Sequence, residues 1–230
     1  MSVCLMCQRP IQTLVSLQML LHWQKLVQPT ICDTCWQQFT QINHQPLCPQ
    51  CGRVQDSPVI CYDCRRWQQV LAEPMIKNRG LFIYDTAMHD FMVQYKFRSA
   101  LHLAAVFTEK IAQTIAQQAV DLVVPMPVAE TTFTQRGFNQ TIALLAQCPN
   151  VVSALAVIDQ AKGHQVRRNR QNRMSVQQPF GLVADLRSKL RNKRVLIFDD
   201  VYTTGRTMQF AVQAIRPAQP LSITALTLAR

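Results

Sequence analysis

Long apolar runs, a secretion signal and acidic side chains are scarce or missing in this sequence of 230 residues. No stretch offers the roughly 18 consecutive apolar residues of a membrane-spanning helix, so we expect no membrane span. Residues 1–10 lack the basic start and apolar run of a secretory signal, and we therefore expect a cytoplasmic protein in a reducing compartment. Only 13 acidic residues stand against 24 basic ones, which gives a net charge of +11 and favours anionic partners.

The basic residues concentrate between Lys162 and Arg194, where ten Lys or Arg stand against the single acid Asp185, a charge of +9 over 33 residues. Such a density attracts polyanions, and nucleic acid is the commonest polyanion of a cytoplasm. The first half, Lys162 to Gln178, lacks interleaved stacking residues, which predicts a loop that tracks phosphates rather than one that reads a sequence. A basic loop that closes over a small anionic ligand is an equally good interpretation, and the two roles can coexist.

Cysteine is concentrated at the start of the chain, where eight cysteines form four C-x-x-C pairs. The pairs are Cys4/Cys7, Cys32/Cys35, Cys48/Cys51 and Cys61/Cys64. Two such pairs supply the four corners of a closed structural zinc site, so eight thiolates predict two bound zinc ions and no catalysis there. Sequential pairing would give Cys4, Cys7, Cys32 and Cys35 to one ion and Cys48, Cys51, Cys61 and Cys64 to the other, and a crossed pairing stays open.

Other uses of the cysteines are less well supported. Disulfides compete with zinc, but they rarely persist in the reducing compartment expected here. A thioredoxin-like redox pair would enter a helix in a βαβ context, and none of the four pairs has that setting. Cys148 stands alone after an apolar helical run, which favours a core residue over a nucleophile.

The pattern of the chain changes after the cysteines, and the predicted domain boundary lies at Glu73-Pro74. Residues 1–72 would bury little core without metal, whereas residues 73–230 are long enough for a full α/β core. An extra helix is expected at Leu14 to Leu21, between the first two cysteine pairs. In the second part, strands are predicted at Gly80 to Tyr84, Val120 to Val124, Val195 to Phe198 and Ile223 to Leu228, and helices at Thr86 to Phe97, Leu101 to Gln118, Thr141 to Gln147 and after Gly205. This βαβ succession predicts a parallel sheet flanked by helices.

A candidate ligand site follows the third of these strands. Val195 to Phe198 is a continuous apolar run, typical of a buried parallel strand, and Asp199 and Asp200 come directly after it. Ligands of open α/β sheets bind beyond the carboxyl ends of the strands. The turn Thr203 to Thr207 then precedes an apolar helix, so its backbone N–H groups can converge on an anion such as a sugar phosphate. The competing interpretation is an ordinary strand and helix, in which the acids and threonines serve only as caps.

The stretch Val195 to Thr207 resembles the motif of type I phosphoribosyltransferases that binds 5-phosphoribosyl-1-pyrophosphate (PRPP). The resemblance implies a Rossmann-like fold in which Asp199 and Asp200 act as the catalytic acids and hold the ribose 2′- and 3′-hydroxyls. It also implies that the loop holds the 5′-phosphate and that Mg²⁺ accompanies PRPP and bridges its oxygens. The PRPP-binding residues implied in this stretch are Asp199, Asp200, Val201, Thr203, Thr204, Gly205, Arg206 and Thr207.

Further stretches resemble the ComF (ComFC/GntX-like) competence-associated proteins, which join a zinc-binding segment to a phosphoribosyltransferase domain. They are Tyr95-Lys96-Phe97, Val124-Pro125-Met126-Pro127 and Arg136-Gly137-Phe138-Asn139-Gln140. The resemblance implies that Met126 to Glu130 lies near the leaving pyrophosphate and that Lys96 and Arg136 bind PRPP phosphates. The alternatives are a solvated helix end at Lys96, and a helix entry in which Phe138 anchors the core and Asn139 caps the helix.

The resemblance implies a protein that supports DNA uptake and natural transformation, or the use of imported DNA. Its expected partners are PRPP, single-stranded DNA or other nucleic acid along residues 162–194, and DNA-uptake proteins such as a helicase. An active phosphoribosyltransferase with an unknown acceptor is the alternative, although the sequence shows no recognisable nucleobase-reading hood. A third hypothesis is that PRPP regulates nucleic-acid binding without turnover.

Overall fold

The computed structural model describes residues 2–11, 29–70, 75–97, 100–158 and 178–230. A four-stranded parallel sheet in the order β3-β8-β7-β4 organises the described chain, and two antiparallel pairs, β1-β2 and β5-β6, lie outside it. The strands are β1 Ser2–Val3, β2 Pro10–Ile11, β3 Asn78–Phe82, β4 Leu122–Pro125, β5 Leu155–Val157, β6 Phe180–Leu182, β7 Arg194–Val201 and β8 Ser222–Ala229. The predicted parallel sheet flanked by helices is confirmed.

Helices connect the parallel strands and cover both faces of the sheet. The α-helices are α1 Asp33–Trp36, α2 Tyr62–Val70, α3 Thr86–Phe97, α4 Thr108–Ala116, α5 Glu130–Arg136, α6 Gln140–Leu144, α7 Arg187–Leu190 and α8 Arg206–Ile215, and 3-10 turns lie at Leu101–Val106, Ala184–Leu186 and Arg216–Ala218. Among the described residues, no helix is long and apolar enough to cross a bilayer.

The alternation of β7 side chains builds two separate cores. Leu196 and Phe198 face one core with the aromatic side chains of α3, whereas Val195 and Ile197 face the other core with α8. The same alternation continues past the apolar run, so Asp199 and Asp200 leave opposite faces of the strand. At the other end of β7, Arg194 forms an ion pair with Asp121, in which Nη2 lies 2.7 Å from Oδ1 and Nε lies 3.1 Å from Oδ2.

The cysteine-bearing segment packs directly on the sheet. Next to the edge strand β3, Gln41 forms an antiparallel bridge with Phe82, and the Ile42 N–H donates to the Leu81 carbonyl at 2.9 Å. Trp36 and Phe39 make ring contacts with Phe82, in the first core. The second group of cysteines is buried in the other core. The division at residues 72 and 73 stays a prediction, since contacts alone do not define folding units.

The observed elements differ from the predicted ones in one helix above all. The stretch predicted as a single helix from Leu101 to Gln118 consists of the 3-10 turn and α4, separated by Phe107. Phe107 is fully buried against the rings of Phe39, Phe82 and Phe91, so aromatic packing fixes this break and overrides helical periodicity. The helix predicted at Leu14 to Leu21 and the basic residues 162–177 lie outside the described residues.

Candidate functional site

The two acids lie at the carboxyl end of β7, as the sequence predicts. Asp200 is only 4% exposed, and its Oδ2 lies 2.6 Å from Nζ of Lys96, which projects from the last turn of α3. A buried carboxylate is costly unless it is paired, and Lys96 is the partner of Asp200 in this ion pair. Lys96, predicted to meet phosphate oxygens, thus lies at the acidic pair and forms an ion pair with one of its members.

The neighbouring acid, Asp199, has a perturbed carboxyl group. Burial and the neighbouring charge of Asp200 raise the pKa of Asp199 well above its usual range, while the Asp200 N–H and Lys96 oppose the rise. The Asp200 N–H donates to Asp199 Oδ1 at 2.9 Å. One cation and two adjacent acids therefore share this end of the strand, which suits a polyhydroxylated ligand that can both donate and accept hydrogen bonds.

The loop after β7 contains backbone N–H groups that form no hydrogen bond with other described residues. Gly205 has φ +79°, a left-handed conformation, and directly precedes α8. Thr203, Thr204, Arg206 and Thr207 are exposed. Within the described ranges, the N–H groups of Thr203, Thr204 and Gly205 donate no backbone hydrogen bond. Free N–H groups at the start of a helix form an anion-binding site.

The carbonyl side of the same loop is held by two residues that the sequence analysis missed. Nη1 of Arg230 donates to the carbonyls of Tyr202 at 3.2 Å and Thr203 at 2.9 Å. Nε1 of Trp67, on α2, donates to the carbonyl of Thr204 at 2.9 Å. No sequence signal could have identified either residue, because both reach the loop from segments that are remote along the chain.

The loop after β4 is anchored next to the acids. The Met126 N–H donates to the Phe198 carbonyl at 2.9 Å, which continues the register of β4 with β7. The Met126 carbonyl accepts from Thr141 Oγ1 at 2.7 Å and from Asn139 Nδ2 at 3.1 Å. Beside this loop lies a groove of about 410 Å³ between α5, α6 and β5. The carboxyl ends of β4 and β7 therefore lie side by side, and the groove adjoins the β4 end.

Residues 136–140 form a helix entry in which Phe138 anchors the core and Asn139 caps the helix, as the alternative interpretation predicted. Phe138 is buried in the first core, and Asn139 Oδ1 accepts from the N–H groups of Thr141 at 2.9 Å and Ile142 at 3.3 Å. Nη1 of Arg136 donates to Gln140 Oε1 at 2.9 Å. Anchoring by Phe138 and capping by Asn139 are confirmed, and a phosphate role for Arg136 stays a prediction.

We expect Asn139→Ala to lower the free energy of unfolding by about 1–2 kcal/mol, because it removes an N-cap and one donor to the Met126 carbonyl. Urea unfolding measures the change. Gln147→Ala is the matched control, since Gln147 is exposed and follows the same helix. Equal losses in the two variants would contradict the capping role.

The cysteines lie in two groups that follow the sequential pairing. Within each group the four Sγ atoms lie within 4.8 Å of one another, and the groups are Cys4, Cys7, Cys32 and Cys35 (the first cluster) and Cys48, Cys51, Cys61 and Cys64 (the second cluster). Sulfur atoms around a tetrahedral zinc ion, at about 2.3 Å from it, lie about 3.8 Å apart. Cys7 and Cys32 are separated by 3.8 Å, Cys48 and Cys64 by 3.8 Å, and Cys51 and Cys61 by 3.7 Å. Both clusters are therefore compatible with structural zinc.

Backbone N–H groups prepare one thiol of each cluster for metal. The Cys32 N–H lies 3.4 Å from Cys4 Sγ, and the Cys61 N–H lies 3.3 Å from Cys48 Sγ. Burial opposes ionisation of Cys4 and Cys48, but hydrogen bonds from the backbone outweigh it and lower the pKa of each to about 6. Burial raises the pKa of Cys35 to about 12. Each cluster thus holds one thiolate near neutral pH, the form that zinc binds.

The remaining predicted residues lie away from this surface. The described part of the basic segment contains the exposed residues Arg187, Lys189, Arg191 and Lys193, which lie at the amino end of β7, opposite the acids. Cys148 packs against the first core, and burial raises the pKa of its thiol to about 11. A protonated, half-buried thiol suits packing rather than nucleophilic chemistry, as the sequence predicts.

Comparison with known proteins finds similarity to one domain family and to two competence proteins. The family model of the Phosphoribosyl transferase domain matches residues 138–230, which include both acids and the loop. The competence protein ComFC of Bacillus subtilis (strain 168) is 25% identical over 242 aligned positions, covering 99% of this chain and 95% of the relative. The competence protein ComFC of Streptococcus pneumoniae (strain ATCC BAA-255 / R6) is 25% identical over 231 positions, covering 99% of both chains.

Solved structures show more distant likenesses. The allosteric regulatory enzyme of purine biosynthesis aligns with a TM-score of 0.36 and 19% identity over 58% of this chain and 25% of its own. A hypoxanthine phosphoribosyltransferase from Staphylococcus aureus aligns with a TM-score of 0.32 and 12% identity over 63% and 71%. At these scores neither likeness supports a conclusion. The chain is therefore similar to two ComFC proteins over nearly its full length, and its residues 138–230 are similar to a phosphoribosyl transferase domain.

Proposed function

We propose that this protein is a competence-associated protein of the ComFC type, which supports DNA uptake or the use of imported DNA and binds PRPP in its phosphoribosyltransferase-like domain. The full-length similarity to two competence proteins supports the first part. The observation that carries the second part is the meeting of an acidic pair and a loop with free N–H groups at the carboxyl end of a parallel sheet.

The proposed binding mode assigns each end of the sugar to one feature. Asp199 and Asp200 accept hydrogen bonds from the ribose 2′- and 3′-hydroxyls, and Val201 continues the strand into the loop. The 5′-phosphate lies against the N–H groups of the loop, with the exposed side chains of Thr203, Thr204, Arg206 and Thr207 around it. In the enzyme alternative, the acids would be the catalytic pair that holds the ribose while pyrophosphate leaves.

Lys96 has a double role in this proposal. Its ammonium forms an ion pair with the buried Asp200 and lies at the same end of β7 as the proposed ribose. Arg136, at the end of α5, is the proposed second cation for phosphate oxygens. Mg²⁺ bound with PRPP would neutralise charge on the pyrophosphate oxygens, and the Asp199 and Asp200 carboxylates are oxygen groups of the kind that such a site uses.

The proposed nucleic-acid surface is the basic segment 162–194, through which the protein would contact single-stranded DNA. Its exposed described residues, Arg187, Lys189, Arg191 and Lys193, form a basic patch at the far end of the sheet. Such a patch binds phosphates without reading sequence. Other DNA-uptake proteins such as a helicase are proposed as partners, and the cytoplasm is the proposed location. The zinc clusters have a structural role.

The test is calorimetric titration of PRPP with Mg²⁺ into zinc-loaded protein and into the double variant Asp199→Asn/Asp200→Asn. We expect at least about 100-fold weaker binding in the variant, because each charge-assisted hydrogen bond to a carboxylate contributes ~1.5–3 kcal/mol. Asp121→Asn is the matched control, since it removes a carboxylate from the opposite end of the sheet. Circular dichroism checks that all three proteins fold.

Binding that is lost equally in both variants would contradict the assignment of the acids. No binding by the unaltered protein would overturn the PRPP proposal and leave the competence role to the zinc segment and the basic patch. Release of pyrophosphate in the presence of a nucleobase or amine would identify the protein as an active phosphoribosyltransferase.

A further inference from the structure

Arg230 lies between the second cysteine cluster and the loop after β7. Its Nη2 lies 3.2 Å from Cys51 Sγ, while its Nη1 donates to the carbonyls of Tyr202 and Thr203. The guanidinium carbon also lies 4.9 Å from the centre of the Tyr202 ring. One planar group therefore contacts a predicted zinc ligand with one nitrogen and the proposed phosphate loop with the other.

Hydrogen bonds hold the backbone of Arg230 in place, so its side chain starts from a fixed position. The Arg230 N–H donates to the Phe82 carbonyl at 2.9 Å, and the Tyr84 N–H donates to the Arg230 carbonyl at 3.1 Å. A Cβ atom at Gly80 would lie only 2.7 Å from Cβ of Arg230. This close approach to β3 holds the side chain of Arg230 in register with the cluster and the loop.

Trp67 provides a second bridge from the same cluster. It lies on α2, one turn after Cys64, and its Nε1 donates to the Thr204 carbonyl. The knuckle that contains Cys51 is itself bound to the sheet, because Asn78 Nδ2 donates to the Cys51 carbonyl at 3.3 Å. Residues next to both halves of the second cluster thus reach three consecutive carbonyls of the loop, those of Tyr202, Thr203 and Thr204.

These three hydrogen bonds determine where the N–H groups of the loop point. In a trans peptide unit the C=O and the following N–H point in opposite directions. Carbonyls of residues 202–204 that face the cluster therefore turn the N–H groups of residues 203–205 away from it. These are the N–H groups for which the described part of the chain offers no acceptor. The hydrogen bonds to the carbonyls of residues 202–204 thus orient the N–H groups of residues 203–205 toward the proposed anion site.

Metal in the cluster would strengthen this arrangement. Four thiolates around one divalent ion leave a net charge of about −2, and a guanidinium beside one of the sulfurs is attracted to it. Without metal the sulfur atoms of the cluster would carry less negative charge, so Arg230 would have a weaker and less fixed acceptor.

We propose that Arg230 is a positioning residue that couples occupancy of the second zinc cluster to anion binding by the loop at residues 203–207. The inference rests on the proposed function, since it takes the loop as the phosphate site. Coupling between two sites is reciprocal: if zinc strengthens PRPP binding, PRPP must strengthen zinc binding by the same factor.

The first measurement is PRPP affinity by calorimetry in zinc-loaded wild type, Arg230→Met and Arg230→Lys. Methionine removes every donor, and we expect about tenfold weaker binding, as for one or two lost hydrogen bonds to a positioned loop. Lysine keeps the positive charge but lacks the two guanidinium nitrogens that contact the loop and Cys51 together, and we expect an intermediate PRPP affinity. Arg9→Met is the matched control, because Arg9 is an exposed arginine next to the first cluster, where its carbonyl accepts from the Cys4 N–H, and the change should leave the affinity unchanged.

The second measurement distinguishes coupling from a purely structural role. Zinc is titrated out of wild type by equilibrium competition with a chromogenic chelator, with and without saturating PRPP and Mg²⁺. We expect PRPP to raise the zinc affinity of one of the two equivalents about tenfold, and the shift should disappear in Arg230→Met. The other equivalent, from the first cluster, should not respond.

The outcomes separate the two proposals. PRPP binding with the same affinity in wild type and Arg230→Met, together with zinc affinities that do not respond to PRPP, would overturn the coupling and leave the proposed function intact. No PRPP binding by wild type would overturn the proposed function and the coupling with it. The zinc competition in wild type tests the coupling without any variant, so the inference can be overturned even if Arg230→Met does not fold.

Discussion

Gly205→Ala is expected to abolish measurable PRPP binding and to destabilise the protein. Gly205 has φ +79°, where a side chain costs about 1–2 kcal/mol. A Cβ atom there would also clash with Tyr202 Oη and lie 2.5 Å from Tyr202 Cζ. Tyr202 is 4% exposed and lies against the guanidinium of Arg230, so its ring has no free space into which it could move away from the new methyl group. The loop must therefore move, and its N–H groups leave the anion site. Urea unfolding and PRPP calorimetry measure the two effects.

Gly137→Ala is the matched control for the backbone cost. Gly137 has φ +80°, and a Cβ atom there would meet nothing within 4 Å. In Gly137→Ala the free energy of unfolding should fall only by the cost of placing a side chain in the left-handed conformation, about 1–2 kcal/mol. Gly205→Ala should lose clearly more, because the clash adds to the same penalty. If the two variants lose equal stability, Tyr202 does not fix the loop in the way the structure indicates.

Replacing Cys48 by alanine is expected to have the largest effect on stability. Cys48 Sγ accepts from the Cys61 N–H and lies 3.8 Å from Cys64 Sγ, at the centre of the second cluster. This cluster forms part of the second core, together with β7 and α8. Structural zinc contributes roughly 10–16 kcal/mol of apparent binding free energy, which is comparable with the whole stability of a typical domain. We expect the loss of one zinc equivalent and unfolding of the sheet at much lower temperature.

Cys148→Ala controls for the removal of a thiol as such. Cys148 is half-buried beside the first core and belongs to neither cluster. Both zinc equivalents should remain, and stability should fall by no more than about 1–2 kcal/mol. Zinc content by atomic emission and thermal unfolding by circular dichroism report both effects. Retention of two zinc equivalents in Cys48→Ala would contradict the proposed ligand set.

The sequence predicted the local parts of the site because each is encoded in a short stretch. The continuous apolar run before Asp199 specifies a buried parallel strand, and the observed β7 extends over Arg194–Val201. Gly205 marks the turn into α8, where only a residue tolerant of positive φ fits. Helix α3 has the predicted bounds, since its apolar residues recur with helical spacing.

Long-range packing limited the prediction of the other elements. The break at Phe107 depends on aromatic rings of residues 39, 82 and 91, which meet only when the sheet edge and α3 are assembled. Helical periodicity continues through this point in the sequence, so no local pattern marks the break. The zinc pairing had the same limit, because C-x-x-C spacing specifies each knuckle but not which two knuckles meet.

The sequence by itself determined the succession of strands and helices, the acidic pair, the loop at residues 203–207 and the four C-x-x-C pairs, because each depends on neighbours within about one helical turn or one strand. The tertiary structure alone decided that Lys96 pairs with Asp200 and that Trp67 and Arg230 hold the loop. Trp67 lies 137 residues before its partner Thr204, and their meeting requires the strand order β3-β8-β7-β4 and the packing of the second cluster on that sheet. Such contacts are set by global packing, which a local pattern of residues does not encode.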